Sequence, residues 1–335
     1  MRALLQLLAI TSTTLAASVI SIKDIVNRET PEFETTLKEI DFSQKETLEP
    51  ADLIKLGIDV KSDPTMGNKI EGDIVADPEP EKKSSRTTRN AIRQNYRRWP
   101  SGEIPYTLSS QYGTYARSVI AKAMKEYHDK TCVRFIPRDA AKHNDYVYIH
   151  PDDGCYSLVG RTGGRQPLSL DSGCIQVGTI VHELMHAVGF FHEQSRSDRD
   201  DFLEIVWGNV MKGADDQFEK YTNAVIDHLG EPYDFSSIMH YGPYAFSGNG
   251  KKTLQPKKGN AERMGQRVAF SDIDVRKINR LYQCPVKNQV IGNSVLETQP
   301  KIEATSKPQP FQPIQNRSNF RLGTFSSKRI RIISG

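Results

Sequence analysis

The segment His182-Glu183-Leu184-Met185-His186-Ala187-Val188-Gly189-Phe190-Phe191-His192 carries three imidazoles, one carboxylate and one glycine at spacings suited to a catalytic zinc ion. His182 and His186 stand four apart, so on an α-helix they project from one face, one turn apart, and chelate one ion. Glu183 is directed away from the plane of the two rings and toward the open coordination position, where it takes a proton from bound water. Gly189 is expected to end the helix, because glycine adopts positive φ and lets the chain turn sharply, bringing His192 round as the third ligand. Three neutral ligands leave one position for water, whose pKa zinc lowers to ~7 while the same ion polarises a substrate carbonyl. Together these supply both halves of amide hydrolysis. A bare H-E-x-x-H is often only an amphipathic helix, but requiring Gly189 and His192 as well lowers the chance of coincidence by a factor of ~0.002 on this chain's own composition.

Those side chains need a scaffold, and the flanking sequence supplies one of mixed α+β class. Gly178 to Val188 reads as the metal helix. Ile104 to Leu108, after Pro100-Ser101-Gly102, reads as a strand, and Val119, Ile120, Ala123, Met124 and Tyr127 recur at helical spacing. Val133 to Ile136 and Tyr146 to His150 look like further strands, and Ser271-x-x-Asp274 caps a final helix through Ile278 and Leu281. No Gly-Lys-Ser/Thr follows Gly160 to Gly164, so that run is a turn between strands, not a phosphate cradle. His128, His143, His150 and His228 lack ligand spacing and are read as structural.

The 335 residues allow two domains, but the distribution of charge and cysteine argues for one catalytic domain with two accessories. The net charge of +4 conceals a gradient: residues 19–89 hold 11 Lys/Arg against 16 Asp/Glu, residues 285–335 hold 8 against 2. The positive excess lies in a Pro/Gln/Ser-rich tail and not in a basic stripe on a folded face, so a nucleic-acid partner is not expected. Arg2, the apolar run from Leu4 to Leu15 and Ala16-Ala17-Ser18 fit a cleaved signal peptide over 1–18, and no other segment is suited to span a bilayer. A secreted, extracellular, monomeric protein is expected. Its four cysteines are then disulfide candidates, with three connectivities open. Residues 19–89 have weak periodicity, predicting little buried core and a prosegment. Arg86-Thr87-Thr88-Arg89 suits a processing protease cleaving after Arg89, which makes Asn90 the mature N-terminus of a domain over 90–284. Residues 285–335 read as a disordered basic tail, with Asn316-Arg317-Ser318 a glycosylation sequon.

With these residues in view, the chain resembles the metzincins and, through Phe190-Phe191-His192-Glu193-Gln194-Ser195-Arg196, the astacin family of zinc metalloendopeptidases. The resemblance covers about residues 90–284 and includes Trp99-Pro100, Ile104-Pro105-Tyr106, Gly160-Arg161-Thr162-Gly163-Gly164-Arg165-Gln166 and Ser237-Ile238-Met239-His240-Tyr241-Gly242. It implies a two-lobed domain with a mixed sheet, an active-site helix, a methionine turn and a cleft between lobes. It also implies one zinc held by His182, His186 and His192, with Glu183 as the catalytic base and then acid. Met239 is then the hydrophobic floor beneath the ion, and Tyr241 a further ligand that swings away to donate to the oxyanion.

The same resemblance pairs Cys132 with Cys284 and Cys155 with Cys174, and makes Cys155-Tyr156-Ser157 a sheet edge that pairs with extended protein or peptide substrates. Ile70-Glu71-Gly72-Asp73 is similar to the family's prosegment motif Phe-x-Gly-Asp, with Ile70 departing from it; Asp73 is then a carboxylate ligand that displaces the catalytic water. After cleavage, the Asn90 ammonium is expected to dock toward Glu193. No cysteine-rich module follows Cys284, so the chain resembles the short invertebrate astacins of digestive or hatching type. Lys251 and Lys252 either select an acidic residue after the scissile bond or form a solvated loop. An alternative of another class is a catalytically silent, zinc-stabilised extracellular binding protein, which has no use for Glu183.

Overall fold

The computed structural model describes residues 20–44, 48, 50–58, 63–76, 92, 95–222, 227–259 and 261–285. The signal segment, Arg86 to Asn90 and the tail with Asn316 lie outside the described residues.

In chain order the elements that matter are β1 (Glu34–Thr35), α1 (Glu39–Ser43), α2 (Pro50–Lys55), β2 (Glu103–Ser109), α3 (Thr114–Lys130), β3 (Arg134–Pro137), β4 (Tyr146–His150), β5 (Cys155–Ser157), β6 (Arg165–Leu170), α4 (Val177–Val188), β7 (Leu203–Ile205), β8 (Leu254–Pro256) and α5 (Asp272–Leu281). The strands before α4 form a six-stranded mixed sheet ordered β1-β2-β4-β6-β5, with β3 also paired to β2. β3, β2, β4 and β6 run parallel, while β1 on β2 and β5 on β6 are antiparallel. Successive side chains of a strand point to opposite faces. Ile104, Tyr106 and Leu108 of β2, Val147 and Ile149 of β4, and Leu168 and Leu170 of β6 accordingly share one core with α3 and α4. Tyr146, Tyr148 and Arg165 fall on the other face by the same alternation.

A second core gathers Leu203, Ile205, Phe218, Tyr233, Phe235, Tyr241 and Leu254. It belongs to the lobe that follows α4, where β7 pairs with β8. The cysteines are joined Cys132–Cys284 and Cys155–Cys174.

One expectation needs correction. Weak periodicity in residues 19–89 predicted little core there, yet Ile25, Val26, Leu37, Leu53, Ile58 and Ile74 are buried in the main core. The segment has no periodic face because it buries single residues from short elements, each against the sheet or α3. Its polar anchors are equally dispersed: Arg117 pairs with Asp41 at 2.9 Å, and Arg28 reaches Asp171 at 2.9 Å.

Candidate metal centre

α4 runs through the core, and its last carbonyls, which no helical N–H can reach, are met by tertiary donors. Gly160 N–H donates to His186 O (2.9 Å), Trp99 Nε1–H to Ala187 O (2.8 Å) and Tyr282 O–H to Val188 O (2.7 Å). Gly189 ends the helix at φ 127°, and a Cβ there would sit 2.8 Å from Ile92 Cδ1, so both the backbone and the packing demand glycine. The turn carries His192 back beside the helix. Ring centroids of His182, His186 and His192 lie 4.8 to 5.2 Å apart.

Each imidazole is oriented by an acceptor on Nδ1. His182 Nδ1 donates to Ile238 O (2.8 Å), His186 Nδ1 to Phe190 O (2.7 Å) and His192 Nδ1 to the Glu71 carboxylate (2.7 Å). Carbonyl and carboxylate oxygens only accept, so each ring is oriented through Nδ1–H and Nε2 is the nitrogen that would face an ion. Asp73 from the N-terminal segment faces them, with Oδ2 2.9 Å from His182 Nε2 and Oδ1 3.3 and 3.4 Å from His186 Nε2 and His192 Nε2. The four candidate ligand atoms lie within 4.8 Å of one another. Asp73 Oδ1 and His186 Nε2 are buried without a hydrogen-bond partner. Burial works against ionisation of Asp73, but His192, His186 and His182 hold its carboxyl well below the usual range. His192, despite its burial, is raised to about 9 by the Asp73 and Glu71 carboxylates, whereas burial and Arg267 push His182 down to about 3. Three imidazole nitrogens and one carboxylate form a donor set that suits a divalent cation with nitrogen and oxygen preferences, such as zinc.

Glu183 is fully buried and neither carboxyl oxygen has a partner among the described residues. Burial, with the Asp73 charge adding to it, pushes this carboxyl well above its ordinary range. Tyr241 is buried against His192, ring centroids 4.9 Å apart, and its hydroxyl donates to Glu71 O at 2.6 Å. Met239 is buried at the turn, its carbonyl accepting from Glu193 N–H (3.0 Å). Ser157 on β5 pairs with residues 73–75: its N–H donates to Asp73 O and its carbonyl accepts from Val75 N–H, both at 2.9 Å. Glu193 already accepts from Arg196 Nη1 (2.9 Å) and Asp234 N–H (3.0 Å) and pairs with buried Lys277. The expected partner Asn90 lies outside the described residues. Lys251 and Lys252 are exposed.

Several contributors were not picked out from the sequence. Glu71, at φ 49°, accepts from His192 and from the Tyr221 hydroxyl, while Gln217 accepts from Gly72 N–H at 2.8 Å. Asp274 caps α5 and also holds the methionine turn, accepting from Ser237 Oγ–H (2.6 Å) and Ile238 N–H (2.9 Å). An acidic residue at both jobs has no local signature; only the Ser-x-x-Asp box was visible.

Three imidazoles gathered with the Asp73 carboxylate, beside a Glu183 carboxyl unpartnered among the described residues, mark the class: a zinc-dependent peptidase of the metzincin plan. Residues 91–283 match the model of the peptidase family described as Astacin. The chain is 64% identical over 301 residues to zinc metalloproteinase nas-4 of Caenorhabditis elegans, covering 89% of this chain and 94% of that protein. It is 60% identical over 197 residues to zinc metalloproteinase nas-13 of the same organism, covering 59% of this chain and 43% of that one. Among solved structures it is similar to high choriolytic enzyme 1, a hatching enzyme zinc-protease from Oryzias latipes (medaka fish), at 41% identity and TM-score 0.52, covering 56% of this chain and 94% of that chain. The chain belongs to the astacin family, and it is a zinc-dependent endopeptidase.

Proposed function

We propose that this endopeptidase is made as a secreted, monomeric, latent precursor, with Glu183 as its base and Asp73 as its latch. The carrying observation is the position of the Asp73 carboxylate against the Nε2 atoms of His182, His186 and His192, next to a Glu183 with no partner among the described residues. Zinc held by His182, His186 and His192 supplies electrophilic activation of water and of the scissile carbonyl.

The chain's own groups do the rest. Glu183, buried and unpartnered, takes the proton from the attacking water and passes it to the leaving amine. The Tyr241 hydroxyl, engaged by Glu71 O in the precursor, becomes free to donate to the oxyanion once the prosegment has left. Cys155, Tyr156 and Ser157 offer a sheet edge to extended protein or peptide substrates, the edge that residues 73–75 now occupy. Cleavage after Arg89 by a processing protease releases the latch and frees the Asn90 ammonium, which joins Glu193 and its existing partners. The signal over 1–18, the boundaries 19–89, 90–284 and 285–335, and glycosylation at Asn316 belong to the same reading. Among the described residues no helix is long and apolar enough to cross a membrane.

Two variants test it. Glu183→Ala, correctly processed and zinc-loaded, is expected to lose peptide hydrolysis by at least ~100-fold, the scale of a positioned proton-transfer group; retained activity assigns the base elsewhere. Asp73→Ala is expected to give an uncleaved precursor that hydrolyses peptide. A variant precursor as silent as wild type removes Asp73 as the latch.

A further inference from the structure

The face of the sheet turned away from α3 and α4 carries a second arrangement of charged and aromatic groups. Tyr146 and Tyr148 stand two residues apart on β4, and each is covered by a guanidinium: Arg138 Cζ lies 3.9 Å from the Tyr146 ring centroid and Arg165 Cζ 3.8 Å from that of Tyr148. Two prosegment carboxylates dock on this pair. Glu34 Oε1 accepts from Tyr146 O–H (3.1 Å) and Arg165 Nε–H (3.0 Å), its Oε2 lies 3.9 Å from Arg138 Nη1, and Glu32 accepts from Tyr148 O–H.

The backbone follows the same logic. β1 pairs antiparallel with the end of β2, Glu34 opposite Ser109 and Thr35 opposite Leu108, and Ser110 N–H donates to Phe33 O at 2.9 Å. Alternation puts Glu32 and Glu34 on one side and turns Phe33, 60% exposed, to solvent. Only the alternate acids are read.

We propose that this face is an exosite for extended acidic segments of protein substrates, carrying carboxylates at alternate positions, and that residues 32–35 fill it in the precursor. The inference rests on the latent-precursor reading above, since departure of the prosegment uncovers the face. Three features favour a site over a mere anchor. The guanidinium groups rest on tyrosine faces as well as on the glutamates, so they stay ordered when the glutamates leave, which lowers the cost of binding in trans. Departure also strips the Glu34 carboxylate from both arginines and the Glu32 carboxylate from the Tyr148 hydroxyl. Finally, the β2 edge at Leu108–Ser109 regains unpaired main-chain groups, so strand addition supplies affinity while the Arg–Tyr pairs supply selection for acid.

The test uses the full chain and a fluorescein-labelled peptide of residues 29–37, followed by anisotropy. Glu32→Gln/Glu34→Gln weakens the intramolecular occupant without any cleavage. This protein is expected to bind the peptide at least tenfold more tightly than the wild-type precursor does. Adding Arg138→Gln/Arg165→Gln is expected to reverse that gain, and a peptide with Gln at positions 32 and 34 is expected to bind at least tenfold more weakly to the unaltered face. That peptide comparison decides the matter alone if the arginine variant does not fold. Equal binding of the acidic and neutral peptides overturns the proposal, and so does binding of heparin oligosaccharide with none of the peptide. Failure of latency is read separately, as an Asp73→Ala precursor without activity, and leaves the uncleaved binding arm standing.

Discussion

His240 lies one residue before Tyr241 and takes no part in the ion cluster, yet its surroundings fix its protonation. Nδ1–H donates to Tyr241 O (2.7 Å) and Nε2 is paired with the Tyr233 hydroxyl (2.8 Å), an arrangement the neutral ring satisfies by accepting at Nε2. Burial lowers its pKa to about 4 from an ordinary 6.5. The folded state therefore binds fewer protons than the unfolded chain between those values, and stability present above pH 6.5 is lost as pH falls toward 4. The full contribution is about 3 kcal/mol. Unfolding free energies at pH 7 and 4.5 are expected to differ less in His240→Gln than in wild type by an amount of this order; an unchanged pH slope removes His240 as the source. At this scale the sequence was legible where chemistry is contiguous. His182, Glu183, His186, Gly189 and His192 span eleven positions, and helix periodicity alone brings the first two together. Glu71 and Tyr221 were not legible, because the contacts that define them cross more than a hundred residues.

The elements were read well where one pattern repeats. β2, β4 and α4 fall within a residue or two of their expected bounds, and α3 (Thr114–Lys130) extends the apolar period seen from Val119 to Tyr127 at both ends. The buried positions of residues 19–89 were not legible because α1 and α2 are too short for a period to show. α4 also depends on a close approach that no pattern announces: a Cβ on Gly178 would sit 1.8 Å from Arg267 O. Arg267 in turn donates to Ile238 O and His240 O, both at 3.1 Å, so displacing it disturbs the methionine turn. Gly178→Ala is expected to cost about 3 kcal/mol, the upper part of the range for overpacking, and to lower activity. Gly173→Ala, where nothing lies within 4 Å, is the control, expected within about 0.5 kcal/mol by chemical denaturation. Equal effects of the two substitutions would mean that α4 has room to shift.

Across the whole molecule, the Cys132–Cys284 bridge joins residues 152 apart, and the Cys155–Cys174 bridge residues 19 apart. In the chain-entropy model these loops give about 5 and about 3 kcal/mol. Replacing the first pair with serine is expected to lower stability more than replacing the second, as read from denaturation midpoints; the reverse order would mean that local bracing of the segment entering α4 outweighs loop closure. Pairing was open from the cysteine count alone, since distance in space is not a property of spacing in sequence. The Asp73 carboxylate sets up another whole-molecule link, which is thermodynamic. Under the proposed latency, with Asp73 as a further ligand, zinc would be coupled to the segment ahead of Arg89, and linkage is reciprocal. Whatever factor zinc added to the grip on the severed prosegment, the prosegment would add to the grip on zinc. On that proposal maturation would also loosen the metal: the precursor would capture zinc where it is scarce, and the active form would surrender it sooner to any competing chelator.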